Sequence, residues 1–123
     1  MYSAQLLDHF QNPRHAGDLQ DSDAVVEIEN PVCGDVIRLS IKMNAGRIAA
    51  IGFKAKGCVP AMACGSALTE LALGKTVSEA RKVSREDVIR QVDGLPQAST
   101  HGAQLALDAL SAALAKIEGR RPG

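Results

Sequence analysis

Between residues 25 and 56 the chain alternates apolar and polar side chains, and beyond residue 60 the apolar positions recur every three to four residues. Val26 and Ile28 alternate with Glu27 and Glu29. Ile37, Leu39, Ile41 and Met43 then face one way while Arg38, Ser40 and Lys42 face the other. A period of two is that of a strand with one buried and one wet face. Asn44-Ala45-Gly46 supplies turn chemistry, and Ile51, Phe53 and Ala55 opposite Lys54 and Lys56 bring the chain back. Residues 36–43 and 48–56 therefore read as a hairpin, preceded by a strand at 25–29.

Helical signals flank this block. Residues 2–10 form a short helix with Leu6, Leu7 and Phe10 on its apolar side, ended by Asn12-Pro13, because a residue before proline avoids the helical region. A polar loop follows at 14–23. Pro60 suits a first helical turn, Leu68, Leu71 and Ala72 supply an apolar face, and Gly74 is a C-terminal stop. Thr76 with Glu79 is a capping-box pattern, and Ser84 followed by Glu86 and Asp87 starts another short helix. A last helix over 100–118 buries Ala103, Ala106, Leu107, Leu110, Leu114 and Ile117. Strands segregated from helices predict an α+β fold, a three-stranded antiparallel sheet covered on one face.

Composition narrows the function. The 123 residues suit a single domain, expected over 1–119 with a flexible tail at 120–123. The chain has no Trp, one Tyr and two Phe, so its core is aliphatic and it offers no platform for stacking bases. Fourteen basic and fourteen acidic residues balance, with no basic stripe for nucleic acid. Neither a signal peptide nor a membrane span is visible. Three cysteines, an odd number widely spaced, point to free thiols in a reducing compartment, so a cytoplasmic location is expected.

Three loops carry metal-capable groups. In Cys33-Gly34-Asp35 an extended chain points thiol and carboxylate the same way, with glycine between them. Cys58 precedes a helix, whose dipole should favour its thiolate. His101 opens the last helix, where the dipole disfavours the imidazolium and leaves a neutral ring able to coordinate. Each also has a plain structural reading: cysteines as small buried apolar groups, the histidine as a surface residue. Cys64, six residues after Cys58, points to another helix face and reads as packing, the alternative being a replacement ligand or a sulfur relay for the site. His9 and His15 read as surface residues. Gly74-Lys75-Thr76 lacks the preceding glycine of a phosphate loop.

Taken in order, several segments resemble the NifU/IscU family of iron–sulfur cluster assembly scaffolds. They are Asp8-His9-Phe10-Gln11-Asn12-Pro13-Arg14, Cys33-Gly34-Asp35, Lys56-Gly57-Cys58, Ser66-Ala67-Leu68-Thr69-Glu70, Gly74-Lys75-Thr76 and Leu95-Pro96, with His101 ahead of an alanine-rich helix. The resemblance spans nearly the whole chain. It implies a ligand set of Cys33, Asp35, Cys58 and His101, with Cys58 the better placed sulfur acceptor. It also implies a transient [2Fe–2S] cluster, or Zn2+ in the same site, built with sulfur from a cysteine desulfurase and passed to apo iron–sulfur proteins. Such a protein is a scaffold or carrier and not an enzyme. The insertion of the SufU branch is absent, which brings the chain closer to the IscU branch.

Two departures stand out. The family usually has a cysteine directly after the histidine, where this chain has Gly102. Two-thiolate cluster sites do exist, as in Rieske centres, and the same four groups suit tetrahedral zinc. Gly102 therefore leaves open a second reading, a zinc-binding or metal-free paralogue that docks on a desulfurase without building clusters. The chaperone-recognition segment, normally Leu-Pro-Pro-Val-Lys, reads Leu95-Pro96-Gln97-Ala98-Ser99, and the missing lysine argues against a dedicated chaperone. A hydrolytic zinc enzyme fits poorly, because four protein ligands leave no open position.

Overall fold

The computed structural model describes residues 2–30 and 34–119, with Ala98 by its backbone alone. Cys33 and the expected tail at 120–123 lie outside the described residues. Helix α1 spans Ala4–Gln11, and the strands are β1 (Ala24–Asn30), β2 (Asp35–Asn44) and β3 (Arg47–Lys56). They form one antiparallel sheet in the order β1-β2-β3. Helices α2 (Val59–Ala72), α3 (Val77–Ala80), α4 (Arg85–Gln91) and α5 (His101–Gly119) follow, with a single 3-10 turn at Gln97–Ser99 before the last. The α+β architecture expected from the periodicity is the one observed.

The β2–β3 hairpin closes through Ala45 and Gly46, both at positive φ (54° and 80°), the primed turn whose twist matches paired strands. A bulge lies just beyond it. Lys42 pairs with Ala50 and Met43 with Ile48, which leaves Ala49 as the extra residue. Ile48 and Ile51, three apart, therefore both point inward and are buried. Ile37, Leu39, Ile41 and Phe53 complete the inner face, against α2 and α5. Where α2 crosses the sheet Gly65 is needed. A methyl there would stand 2.9 Å from the Phe53 ring and 3.2 Å from Ile37. Cys64, beside it, is fully buried in the core.

The other face is wet only in part. Ser40, expected on the solvent side, is 1% exposed, because the segment expected as a free polar loop lies across it. The Leu19 amide donates to Ser40 Oγ (3.2 Å). The Gly17 amide donates to the Phe53 carbonyl (2.8 Å), and the Phe53 amide donates to His15 (3.0 Å), along the outer edge of β3. Nearer the hairpin, the Ile48 amide donates to the Lys75 carbonyl (2.8 Å) and Gly74 to that of Ile48 (2.9 Å). On the β1 side, Lys116 Nζ donates to the Val25 carbonyl (2.7 Å).

Helix α1 is capped by Ser3, whose oxygen accepts from the Leu6 amide. His9 is not a surface residue. It is 4% exposed, with Nδ1 2.8 Å from Ser66 Oγ and Nε2 3.3 Å from Glu70, both on α2. His15 is exposed as expected. Both expected cap signals form full capping boxes, Thr76 with Glu79 and Ser84 with Asp87. Among the described residues no helix is long and apolar enough to cross a membrane.

Candidate metal centre

Three chain junctions meet at one end of the sheet. Asp35 is the first residue of β2, reached through Gly34 at φ +73°, whose amide donates to the Asn30 carbonyl (2.7 Å). Cys58 follows β3 and is the N-cap of α2. His101 is the first residue of α5. Cys58 Sγ lies 3.4 Å from Asp35 Oδ2 and 3.6 Å from His101 Nε2, and that nitrogen is 3.3 Å from the same carboxylate oxygen. Tetrahedral ligands about 2.0–2.3 Å from a zinc-sized ion stand roughly 3.3–3.6 Å from one another, and the three distances fall in that range. One oxygen, one sulfur and one nitrogen donor thus face a common point, with a fourth position open among the described residues.

Asp35 holds this arrangement together. It is only 1% exposed. Its Oδ1 accepts the Cys58 backbone amide (3.0 Å), while Oδ2 faces the thiol and the imidazole. One carboxylate oxygen fixes the backbone of the cysteine and the other faces the donor cluster. Gly57 makes this possible. Its φ is +139°, and a methyl on it would stand 2.0 Å from Asp35 Oδ1. No other residue type fits without displacing the carboxylate.

The Cys58 thiol corrects a simple dipole argument. Burial pushes its pKa up, the amides of Ala61 and Cys58 itself pull it down, and the bond to and charge of Asp35 raise it further. The net direction is upward, so without a cation at the site Cys58 is held as a thiol, not a thiolate. A metal ion reverses that balance, since coordination favours the deprotonated sulfur. Cys64 is pushed up to about 12, by burial and then by the Cys58 charge, and is an inert core thiol.

Of the four residues singled out in the sequence, the structure brings Asp35, Cys58 and His101 together, and Cys33 lies outside the described residues. Sequence reasoning missed the two supports of this cluster. The Asp35-to-Cys58 amide bond joins residues 23 apart, and Gly57 was noticed only as part of a motif. A glycine directly before a cysteine at a strand-to-helix junction was the available signal.

Comparison with known proteins places the chain that carries this arrangement in one family. The model of the NifU-like N-terminal domain matches residues 1–122. The chain belongs to this family. Among its relatives, the iron–sulfur cluster assembly scaffold protein IscU 1 of Archaeoglobus fulgidus is 46% identical over 93% of this chain and 74% of its own length. The scaffold protein IscU of Escherichia coli is 37% identical over 98% of this chain and 96% of its own. The crystal structure of a NifU-like N-terminal protein from Brucella abortus superposes with a TM-score of 0.78 at 19% identity, covering 97% of this chain and 95% of that one. At that identity it attests the NifU-like fold alone.

Proposed function

We propose that this NifU-like chain is a scaffold on which a labile [2Fe–2S] cluster is assembled from iron and desulfurase-derived sulfur and then passed to apo-proteins. The observation that carries the reading is the convergence of Cys58, Asp35 and His101 at mutual distances of 3.3–3.6 Å, in a chain whose relatives are named as such scaffolds. Cys33, two residues before Asp35, is the fourth ligand in this proposal. The cluster is cargo, and the residues bind it and let it go.

Each donor has a part. Cys33 and Cys58 give sulfur ligation, and Cys58 is also the acceptor of incoming sulfur. Its thiol passes its proton to Asp35 Oδ2, 3.4 Å away, as the sulfur attacks the outer sulfur of a partner persulfide. The new bond is Cys58 S–S, the partner leaves as a thiolate, and an external thiol or ferredoxin-type reductant then supplies the electrons that release this sulfur as sulfide to the iron. Asp35 then serves as an oxygen ligand, held less tenaciously by iron than sulfur is, which suits release. Cysteine desulfurase and apo iron–sulfur proteins are the partners this chemistry requires, in the reducing conditions of a cytoplasm.

Anaerobic reconstitution with ferrous iron, cysteine, a cysteine desulfurase and a thiol reductant that takes persulfide sulfur to sulfide tests the proposal. A visible-absorbing cluster should form, transfer to an apo-ferredoxin, and be lost in Cys58→Ala and His101→Ala. If the wild-type chain forms no cluster, assembly is wrong. Tight zinc binding under those conditions would favour the second reading, a zinc-holding paralogue, which the tetrahedral spacing of the three donors also suits.

A further inference from the structure

Gly102 is the second residue of α5 and is buried against the first turn of α2. A methyl built on it would stand 3.0 Å from the Ala61 nitrogen, 3.1 Å from Ala61 Cα and 3.1 Å from the Pro60 carbonyl carbon. All three are backbone atoms of α2, so no side chain can swing aside to make room. Relief requires the backbone of one helix to give by a few tenths of an ångström against the other, and close-packed helices transmit such a shift.

Both helices carry a member of the candidate centre at this crossing. His101 directly precedes Gly102, and Cys58 caps the helix to which Ala61 belongs. The Ala61 amide, nearest to the missing methyl, also faces the Cys58 sulfur. Pressure at Ala61 therefore falls on the backbone that carries Cys58, while its recoil falls on His101.

We infer that Gly102 is a positioning residue: its absent side chain sets the approach of α2 and α5 that keeps His101 Nε2 3.6 Å from Cys58 Sγ. The metal-binding consequence rests on the proposed function, whereas the geometric claim does not.

The experiment compares Gly102→Ala with Ala109→Gly, a buried position two turns along α5 that serves as a stability control. Co2+ replaces zinc as a spectroscopic probe, and affinities come from chelator competition. Gly102→Ala should bind Co2+ and Zn2+ roughly ten- to hundredfold more weakly, as expected for a residue supporting a ligand, with altered d–d bands. Ala109→Gly should lose urea stability and keep the wild-type affinity and spectrum. A crystal structure of metal-free Gly102→Ala should show a longer His101 Nε2–Cys58 Sγ separation than the wild type. An unchanged separation overturns the inference, and so does equal weakening of binding in Ala109→Gly. If the wild type binds neither ion while the separation still lengthens, the metal reading fails and the positioning role stands.

Discussion

Asp35 is nearly inaccessible to solvent, and the residue that allows this is Gly57. Replacing it with alanine forces a methyl toward Asp35 Oδ1 at a φ of +139° that L-residues rarely adopt. Gly57→Ala should cost about 2–3 kcal/mol of stability, the range of a single strained backbone site, and should abolish tight zinc binding. Urea titration and zinc competition would measure both. The raised pKa of Cys58 gives a second expectation at this scale. Iodoacetamide should label Cys58 of the metal-free protein slowly at pH 7 and faster as the pH rises. Asp35→Asn should accelerate labelling, because it removes one of the causes of the upward shift. Cys64 should stay unlabelled until the protein unfolds, as peptide mass mapping would show.

Helix α1 is joined to α2 by His9, and that junction titrates. Burial lowers the His9 pKa from its ordinary 6.5 and the Arg14 guanidinium adds to the effect, against the opposing pull of Glu70 and Asp8. The unfolded chain therefore binds more protons than the folded one in the window below 6.5. The stability that depends on neutral His9 is full above that pH and falls as the pH drops through it, by at most about 1.4 kcal/mol per pH unit. His9→Gln should flatten that dependence in urea midpoints measured between pH 5 and 7.5. The junction also marks where sequence reasoning stopped. Strand alternation, the hairpin, the Thr76–Glu79 capping box and the helix start at Ser84 were legible, because each is decided by residues within a few positions of one another. The burial of His9 depends on Ser66, 57 residues away, and that of Ser40 on Leu19, 21 residues away. Nothing local announces such partners. The candidate centre was legible through the chemistry of its residue types and its likeness to a family. That Asp35 anchors the Cys58 backbone was not, since that depends on how two strand ends are spliced.

At the scale of the molecule, the centre ties together the start of β2, the end of β3 and the start of α5. An ion there links elements far apart in sequence, so binding should stabilise the whole fold. At a free Zn2+ concentration a hundredfold above the dissociation constant the gain is about 2.7 kcal/mol, and calorimetry should show a raised melting temperature that EDTA reverses. Asp35→Ala and Cys58→Ala should melt at the same temperature with and without zinc. A zinc-independent wild-type melt would disprove the coupling.

The bonds that residues 15–17 and 74–75 make along β3, and the one from Lys116 to β1, reach beyond local packing. A three-stranded sheet has only one interior strand, and its two borders are where a foreign strand could add and seed a growing fibre. Here the chain fills much of that space with its own non-strand segments. The two flanks of the sheet thus resist templating by a foreign strand.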